Sequence, residues 1–225
     1  MNKKLFKQIR NEWRSNIWIL VELLIVSVVM WFITDYIYVQ VSNYKAPRGF
    51  DISHCYLIKM GKLTPNSHEY NAADTTDNDD RAELLKRIQH RPEIEAASLS
   101  NNSYPYDGSN STMLLSYDTI KVGNDEWVLR RLVTPDFVRV FRYQGANGET
   151  PEQLADLLSK DNILLSDNIF NKHKKTSLRE FIGKGFHIDV DTTKSYILGA
   201  SIEPVKYNDF QSSKYLYTCI VKLGK

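Results

Sequence analysis

The feature that most constrains this chain is an apolar stretch that runs from Ile17 to Val41. From Ile17 to Ile33, every residue except Glu22 and Ser27 is apolar. A helix over the whole stretch would be about 37 Å long at 1.5 Å per residue. Because the hydrocarbon core of a bilayer is about 30 Å thick, the stretch predicts one transmembrane helix whose last turns extend beyond the membrane. The alternative is a buried helix of a soluble protein.

The residues that flank the stretch predict its orientation. Glu12 is the only acidic residue before it, and Lys45 is the first basic residue after it. The basic residues that precede it are Lys3, Lys4, Lys7, Arg10 and Arg14. The positive-inside rule therefore places the N-terminus in the cytoplasm. We interpret residues 1–16 as a basic amphipathic leader on the inner leaflet, with a disordered basic leader as the alternative. Residues 17–45 then form the transmembrane helix and a stalk.

The remainder, residues 46–225, is predicted to form one extracytoplasmic domain of the α+β class. Short apolar runs with strand-like periodicity are mixed with runs of helix-like periodicity. Basic and acidic residues balance from Tyr36 onward, so the formal net charge of +2 arises before that point. A charge-balanced domain argues against a nucleic-acid-binding surface, and no nucleic-acid partner is expected.

The first half of this domain predicts a strand–helix–strand unit followed by a β-rich insert. Residues 52–60 alternate in the manner of a half-buried strand, and a helix with Asp80 as its N-cap follows. Residues 94–100 form the second strand. The insert consists of two predicted strands, 113–122 and 126–133, which a Gly-Asn-Asp turn joins into a hairpin.

The second half predicts further short helices and strands. Thr150, Pro151 and Gln153 combine a capping box with proline at the first helical position, which is a strong helix start. Ser177 is a second predicted cap. The predicted strands of this half are residues 162–166, 186–190, 196–202 and 214–222.

The sequence contains no recognisable catalytic constellation, so we expect a non-enzyme without a cofactor. It has no P-loop, GxSxG, HExxH or CxxC motif. The histidines are not paired at metal-ligand spacing, so no metal site is predicted; they are His54, His68, His90, His173 and His187. The acidic residues within 74–80 and the basic residues within 172–175 are interpreted as solvated surface.

Each of three further features has two possible interpretations. Cys55 and Cys219 could pair in an oxidising compartment, or both could be buried thiols. The turn Tyr104-Pro105-Tyr106 could contact a partner or pack on its own sheet. Glu22 lies within the apolar stretch, where it either reaches toward the cytoplasmic headgroups or contacts another helix.

Several short motifs, taken in order, resemble MacB-type ABC transporter permeases of the FtsX-like family. The matching segments are Thr134-Pro135-Asp136-Phe137 with Phe141, Glu149–Leu158, Asn162–Ser166, Asn168–Phe170, Ile182-Gly183-Lys184 and Tyr196–Ala200. The segment Glu203–Tyr207 departs from the pattern, since family members often carry an acidic–aromatic pair there. Such permeases also continue through three more transmembrane helices, so the resemblance implies a piece of a longer protein or an incomplete gene product.

The resemblance implies a function and a set of partners. The chain would be a non-catalytic permease subunit of an ABC exporter or mechanotransmission complex in the bacterial inner membrane. It would dimerise and pair with a separate ATPase subunit, and its periplasmic MacB-like core domain would contact cargo or a periplasmic partner. The alternative belongs to another class of protein: a single-pass membrane-anchored sensor or binding protein.

The apolar stretch also predicts that the N-terminus is retained. A cleaved signal peptide begins in the same way, but here Glu22 interrupts the run and no small-x-small cleavage site follows it. We therefore expect mass spectrometry of the mature protein to detect peptides from the first 16 residues. A mature N-terminus between residues 35 and 47 would show that the stretch is a removed signal.

Overall fold

The computed structural model divides the chain into two compact units, Met1–Ala46 and Pro47–Lys225. It describes all residues except 1–3, 5–6, 8–9, 62, 74–75, 110, 119, 123–126, 171–176, 189–190, 213–216 and 224–225. Residues 1–3, 5–6 and 8–9 of the predicted leader therefore lie outside the described residues. The chain is mixed α/β, with one apolar N-terminal helix and one mixed sheet, as the α+β prediction requires.

The first unit contains one long helix, α1, which spans Trp13–Lys45. Its 33 residues correspond to about 50 Å of helix. The part from Ile17 to Lys45 is long and apolar enough to cross a membrane, with a mean hydropathy of 2.5 and no burial against the rest of the chain. The helix ends at Lys45, before Pro47 and Gly49, as the sequence predicts.

The second unit is built on one sheet with the strand order β1-β5-β9-β6-β8-β7-β3-β4, and β2 also pairs with β5. The pairs β5–β9 and β6–β8 are parallel, and the other pairs are antiparallel. The strands are β1 Ser100–Asn101, β2 Thr112–Met113, β3 Leu115–Tyr117, β4 Ile120–Val122, β5 Val128–Val133, β6 Ile163–Ser166, β7 Gly185–Ile188, β8 Asp191–Ile202 and β9 Thr218–Lys222.

Short helices cover both faces of this sheet. The α-helices are α2 Asp77–Gln89, α3 Phe137–Val140 and α4 Pro151–Ser159, and two 3₁₀ turns span Asp167–Phe170 and Leu178–Phe181. Successive side chains of a strand point to opposite faces. In β6, Ile163 and Leu165 pack with the 3₁₀ turns, whereas Leu164 packs with α3 and α4. All four residues of β6 are buried because both of its faces are covered.

The helix starts agree only in part with the sequence. Thr150 accepts a hydrogen bond from the Gln153 N–H and forms the predicted capping box of α4. Ser177 caps its 3₁₀ turn as predicted. The prediction of Asp80 as an N-cap is wrong, because α2 begins three residues earlier and Thr76 occupies the cap position.

The predicted strand at residues 52–60 is wrong, and with it the strand–helix–strand unit. This segment has no regular structure, and the Tyr56 side chain is 90% exposed. Its alternating pattern is that of a strand, but a strand forms only where a neighbour pairs with its backbone. Of the second predicted strand, residues 94–100, only Ser100 is in β1.

Local contacts instead hold the start of this segment against the domain. The Asp51 backbone N–H donates to the Phe141 carbonyl at 2.9 Å, and Arg142 pairs with the Asp51 carboxylate at 2.7 Å. Hydrogen bonds from the Ser53 side chain and backbone N–H, followed by the bond from Arg142, lower the pKa of Asp51 to about 2. Gly49 has a φ of +76°, and a Cβ there would lie 2.5 Å from the Pro204 carbonyl oxygen.

The predicted hairpin is displaced along the chain. The predicted strand 113–122 is divided among β2, β3 and β4, and the tight turn between β3 and β4 contains Asp118 at a φ of 52°. Aspartate tolerates this left-handed conformation better than most residues. The predicted turn at residues 123–125 lies outside the described residues.

Strand β9 connects the two halves of the sheet and provides a test of the fold. The Ile220 side chain on β9 is fully buried between strands and helices, whereas Ile197 on β8 is 49% exposed. Replacing Ile220 by alanine removes buried apolar surface and leaves a cavity. We expect Ile220→Ala to lower the free energy of unfolding by about 2–5 kcal/mol.

Urea denaturation of the detergent-solubilised chain, followed by near-UV circular dichroism, measures this change. The matched control is Ile197→Ala, which we expect to change stability by less than about 0.5 kcal/mol. Equal destabilisation by the two variants would contradict the central place of β9 in the core.

Candidate functional site

The charged clusters and histidines of the sequence lie partly inside and partly outside the described residues. Among the described residues, no group of three or more His, Cys, Asp or Glu side chains could hold a metal ion. The Nδ1 atoms of His90 and His187 lie within hydrogen-bond distance of the carbonyls of Lys86 and Lys194. His173 and the basic cluster at 172–175 lie outside the described residues. Asp79 and Asp80 lie in the first turn of α2.

The two cysteines are free thiols in separate places. Cys219 lies on β9 and is fully buried, and burial raises the pKa of its thiol. Cys55 lies in the irregular segment after Asp51, where its Sγ is 3.2 Å from the Val140 carbonyl oxygen. Of the two interpretations, the structure has the unpaired thiols, although only Cys219 is buried.

The aromatic turn at Tyr104–Tyr106 packs on its own domain. Pro105 is buried, and the Tyr106 hydroxyl donates to the Asp209 carboxylate at 2.7 Å. The Tyr106 ring meets Phe50 edge-on at a centroid distance of 5.9 Å. Asp209 also pairs with Arg48 at 3.2 Å. The turn therefore joins two other loops of the domain.

A buried polar cluster surrounds Arg131, in the middle of β5. The Arg131 side chain is 1% exposed, and its guanidinium lies 4.0 Å from the centre of the Tyr207 ring. It donates to the carbonyls of Asn102 and Ser109 and lies 3.9 Å from the Asp107 carboxylate. We call these residues, together with Tyr143, the arginine–tyrosine cluster. Arg131 thus holds both ends of the loop 102–109 against the sheet.

Burial determines the electrostatics of this cluster. Desolvation raises the pKa of Asp107, although the Ser109 N–H and Arg131 oppose this effect. The Tyr143 and Tyr207 hydroxyls are 2.8 Å apart, and burial raises the pKa of both phenols. The guanidinium is enclosed by the loop it binds. The cluster therefore serves as an internal tie, and its geometry contains no exposed nucleophile or base.

A shallow groove lies between α3 and α4, with a volume of about 290 Å³. It is lined by Pro135, Asp136, Arg139, Glu152, Ala155, Asp156 and Ser159. Arg139 pairs with Asp136 at 2.9 Å, and the Gln89 amide of α2 binds the same carboxylate. The groove thus combines an internal ion pair with two further carboxylates.

The polar side chains of α1 differ in how they are satisfied. The Ser27 and Thr34 hydroxyls donate to the carbonyls of Leu23 and Met30, one turn earlier, at 2.7 and 2.8 Å. Glu22 makes no such bond within the described part of the chain. An ionised side chain near the centre of a membrane helix is unfavourable by about 2.5–3.5 kcal/mol on insertion scales. Glu22 is the one carboxylate between Ile17 and Ile33, and it lies five residues after the start of that run.

Sequence reasoning missed the arginine–tyrosine cluster, although one signal pointed to it. In β5, Arg131 lies on the same strand face as Leu129 and Val133, which are both buried. An arginine flanked in this way must be buried with a partner or must twist out to solvent. The partners come from loops near residues 107 and 207, and no local pattern links those segments to β5.

Searches against protein-family models and against curated proteins find no match for this chain. The resemblance to MacB-type permeases therefore remains a prediction that depends on the sequence segments given above.

The arginine–tyrosine cluster predicts that Arg131→Met destabilises the domain more when it is made alone than when it is combined with Asp107→Asn. Arg131→Met leaves the Asp107 carboxylate buried without its cationic neighbour, which is expected to destabilise the domain by about 3–5 kcal/mol. Adding Asp107→Asn removes the uncompensated charge, so the double variant should recover part of that loss. Urea denaturation of the four members of this double-mutant cycle measures the coupling. Additive effects of the two substitutions would show that the two side chains do not interact.

Proposed function

We propose that this chain is a non-catalytic permease subunit, or part of one, of an ABC exporter or mechanotransmission complex of the MacB/FtsX type. The observation that carries the proposal is α1, an uninterrupted helix of 33 residues with an apolar span near the N-terminus. In this proposal the N-terminus lies in the cytoplasm, and residues 46–225 lie in the periplasm.

The length of α1 supports a role in transmitting motion. The helix is about 50 Å long and a bilayer core is about 30 Å thick, so about 20 Å of helix extends beyond the hydrocarbon. The helix contains neither proline nor glycine between Trp13 and Lys45, and these residues are the usual sources of kinks. A displacement of its cytoplasmic end would therefore be transmitted along its whole length.

The second unit supports a binding role more than a chemical one. Its arginine–tyrosine cluster is an internal tie, and its sheet is packed on both faces. The sequence has no P-loop, so in this proposal a separate ATPase subunit supplies the energy. Two copies of the permease would dimerise, and the periplasmic domain would contact cargo or a partner protein.

The proposal predicts stable association with an ATPase. When the full-length protein is co-expressed with a P-loop ATPase encoded beside its gene, we expect the ATPase to co-purify in detergent. The control is the domain from Pro47 onward exported alone, which lacks α1 and should not retain the ATPase.

Two results would contradict the proposal. Purification of the chain without any ATPase, under conditions that preserve membrane complexes, would exclude a permease subunit. Co-purification of a kinase or response regulator in its place would favour the single-pass sensor.

A further inference from the structure

Glu22 is the one carboxylate in the apolar run Ile17–Ile33 of α1, and no partner for it lies among the described residues. Helical neighbours three and four residues away from Glu22 are Trp18, Ile19, Ile25 and Val26, none of them charged. The exposed fractions of the apolar side chains on this face include 74% for Trp18 and 51% for Val26. Hydrocarbon offers no hydrogen-bond donor, so the carboxylate needs one from outside the helix.

The sequence of α1 argues against close packing as the basis of a helix contact. Membrane helices often associate through glycine or alanine at four-residue spacing, which lets the backbones approach. From Ile17 to Val41 the chain contains neither residue. Bulky side chains dominate the Glu22 face, including Trp18, Val29 and Ile33. A polar contact at Glu22 is therefore the specific interaction that this face can offer.

A second copy of α1 is a poor partner for Glu22. Two parallel copies would place one Glu22 beside the other at the same depth, and like charges oppose joint ionisation. The nearest basic residues along the helix are Arg14, about 12 Å away, and Lys45, much further. Neither reaches the depth of Glu22 in a parallel pair. Charge complementarity thus points to a different helix that carries the cation itself.

We propose that the α1 face centred on Glu22 docks on a transmembrane helix of a partner subunit that carries a lysine or arginine side chain at the same depth. The carboxylate and the cation satisfy each other in a medium that solvates neither. The inference deepens the proposed function, because it depends on the membrane position of α1 and gives the chemistry of the partner.

The test uses the full chain in phosphatidylcholine vesicles with a synthetic polyleucine membrane helix that carries one lysine at the depth of Glu22. Energy transfer between fluorophores on the two molecules measures their association. We expect Glu22→Leu to weaken association about 3- to 20-fold, the range for one polar contact between membrane helices. Glu22→Gln keeps a hydrogen-bond acceptor but loses the charge. Its association with the lysine helix should be weaker than that of the wild type and stronger than that of Glu22→Leu.

Two matched controls isolate the contact. Asp35→Leu removes the other carboxylate of α1 and should leave the association unchanged. A polyleucine helix without lysine should bind the wild-type chain and the Glu22→Leu variant equally weakly. Alkaline extraction of the vesicles tests the membrane anchor separately, because release of the wild-type chain would refute the proposed function before the partner is considered.

If the wild-type chain stays in the vesicles on alkaline extraction, three outcomes would still overturn the inference. The lysine helix could bind the wild-type chain and the Glu22→Leu variant equally. The chain could instead associate with itself through Glu22, which would assign the face to a second copy. Finally, rapid labelling of Glu22→Cys by a membrane-impermeant maleimide added to the cytoplasmic side would place this position in the aqueous headgroup region, where it needs no partner.

Discussion

The apolar surface of α1 is the constraint on which the rest of this structure depends. Every apolar side chain from Ile17 to Val41 is at least 41% exposed, and none of the span is buried inside the chain. A soluble protein rarely leaves so large a continuous apolar surface in water. A lipid environment removes this surface from water without any protein cover. In such an environment, the polar side chains of α1 would be satisfied either locally, as Ser27 and Thr34 are, or by another helix.

The second unit, in contrast, buries its apolar side chains within the protein, because helices and turns cover both faces of its sheet. Strand β9 pairs in parallel with β5 and in antiparallel fashion with β6, and so joins the two ends of the sheet. Alternate residues of β6 and β9 supply two separate cores, one against the 3₁₀ turns and the other against α3 and α4. A mixed sheet of this kind needs residues that are distant in sequence to meet, because β5 ends at Val133 and β9 begins only at Thr218.

Two charged side chains illustrate how the environment determines the role of a residue. Arg131 is enclosed by protein, and carbonyls, a carboxylate and the Tyr207 ring surround it. These contacts hold the loop 102–109 on the sheet. Glu22 lies in an apolar helix that is not buried inside the chain, and the described residues supply no partner for it. Burial makes the first charge an internal tie, whereas we propose that the second is a point of attachment for another helix.

The sequence by itself determined the elements whose signals are local. It predicted the apolar part and the end of α1, the capping box at Thr150, the cap at Ser177 and the buried strand β6, because apolar periodicity and capping depend on near neighbours. The start of α1 at Trp13 lies within the predicted leader. Only the tertiary structure decided that residues 52–60 would not form a strand and that Arg131 would meet Asp107 and Tyr207. A strand needs a partner backbone and a buried charge needs partner groups, and both come from parts of the chain that only folding brings near.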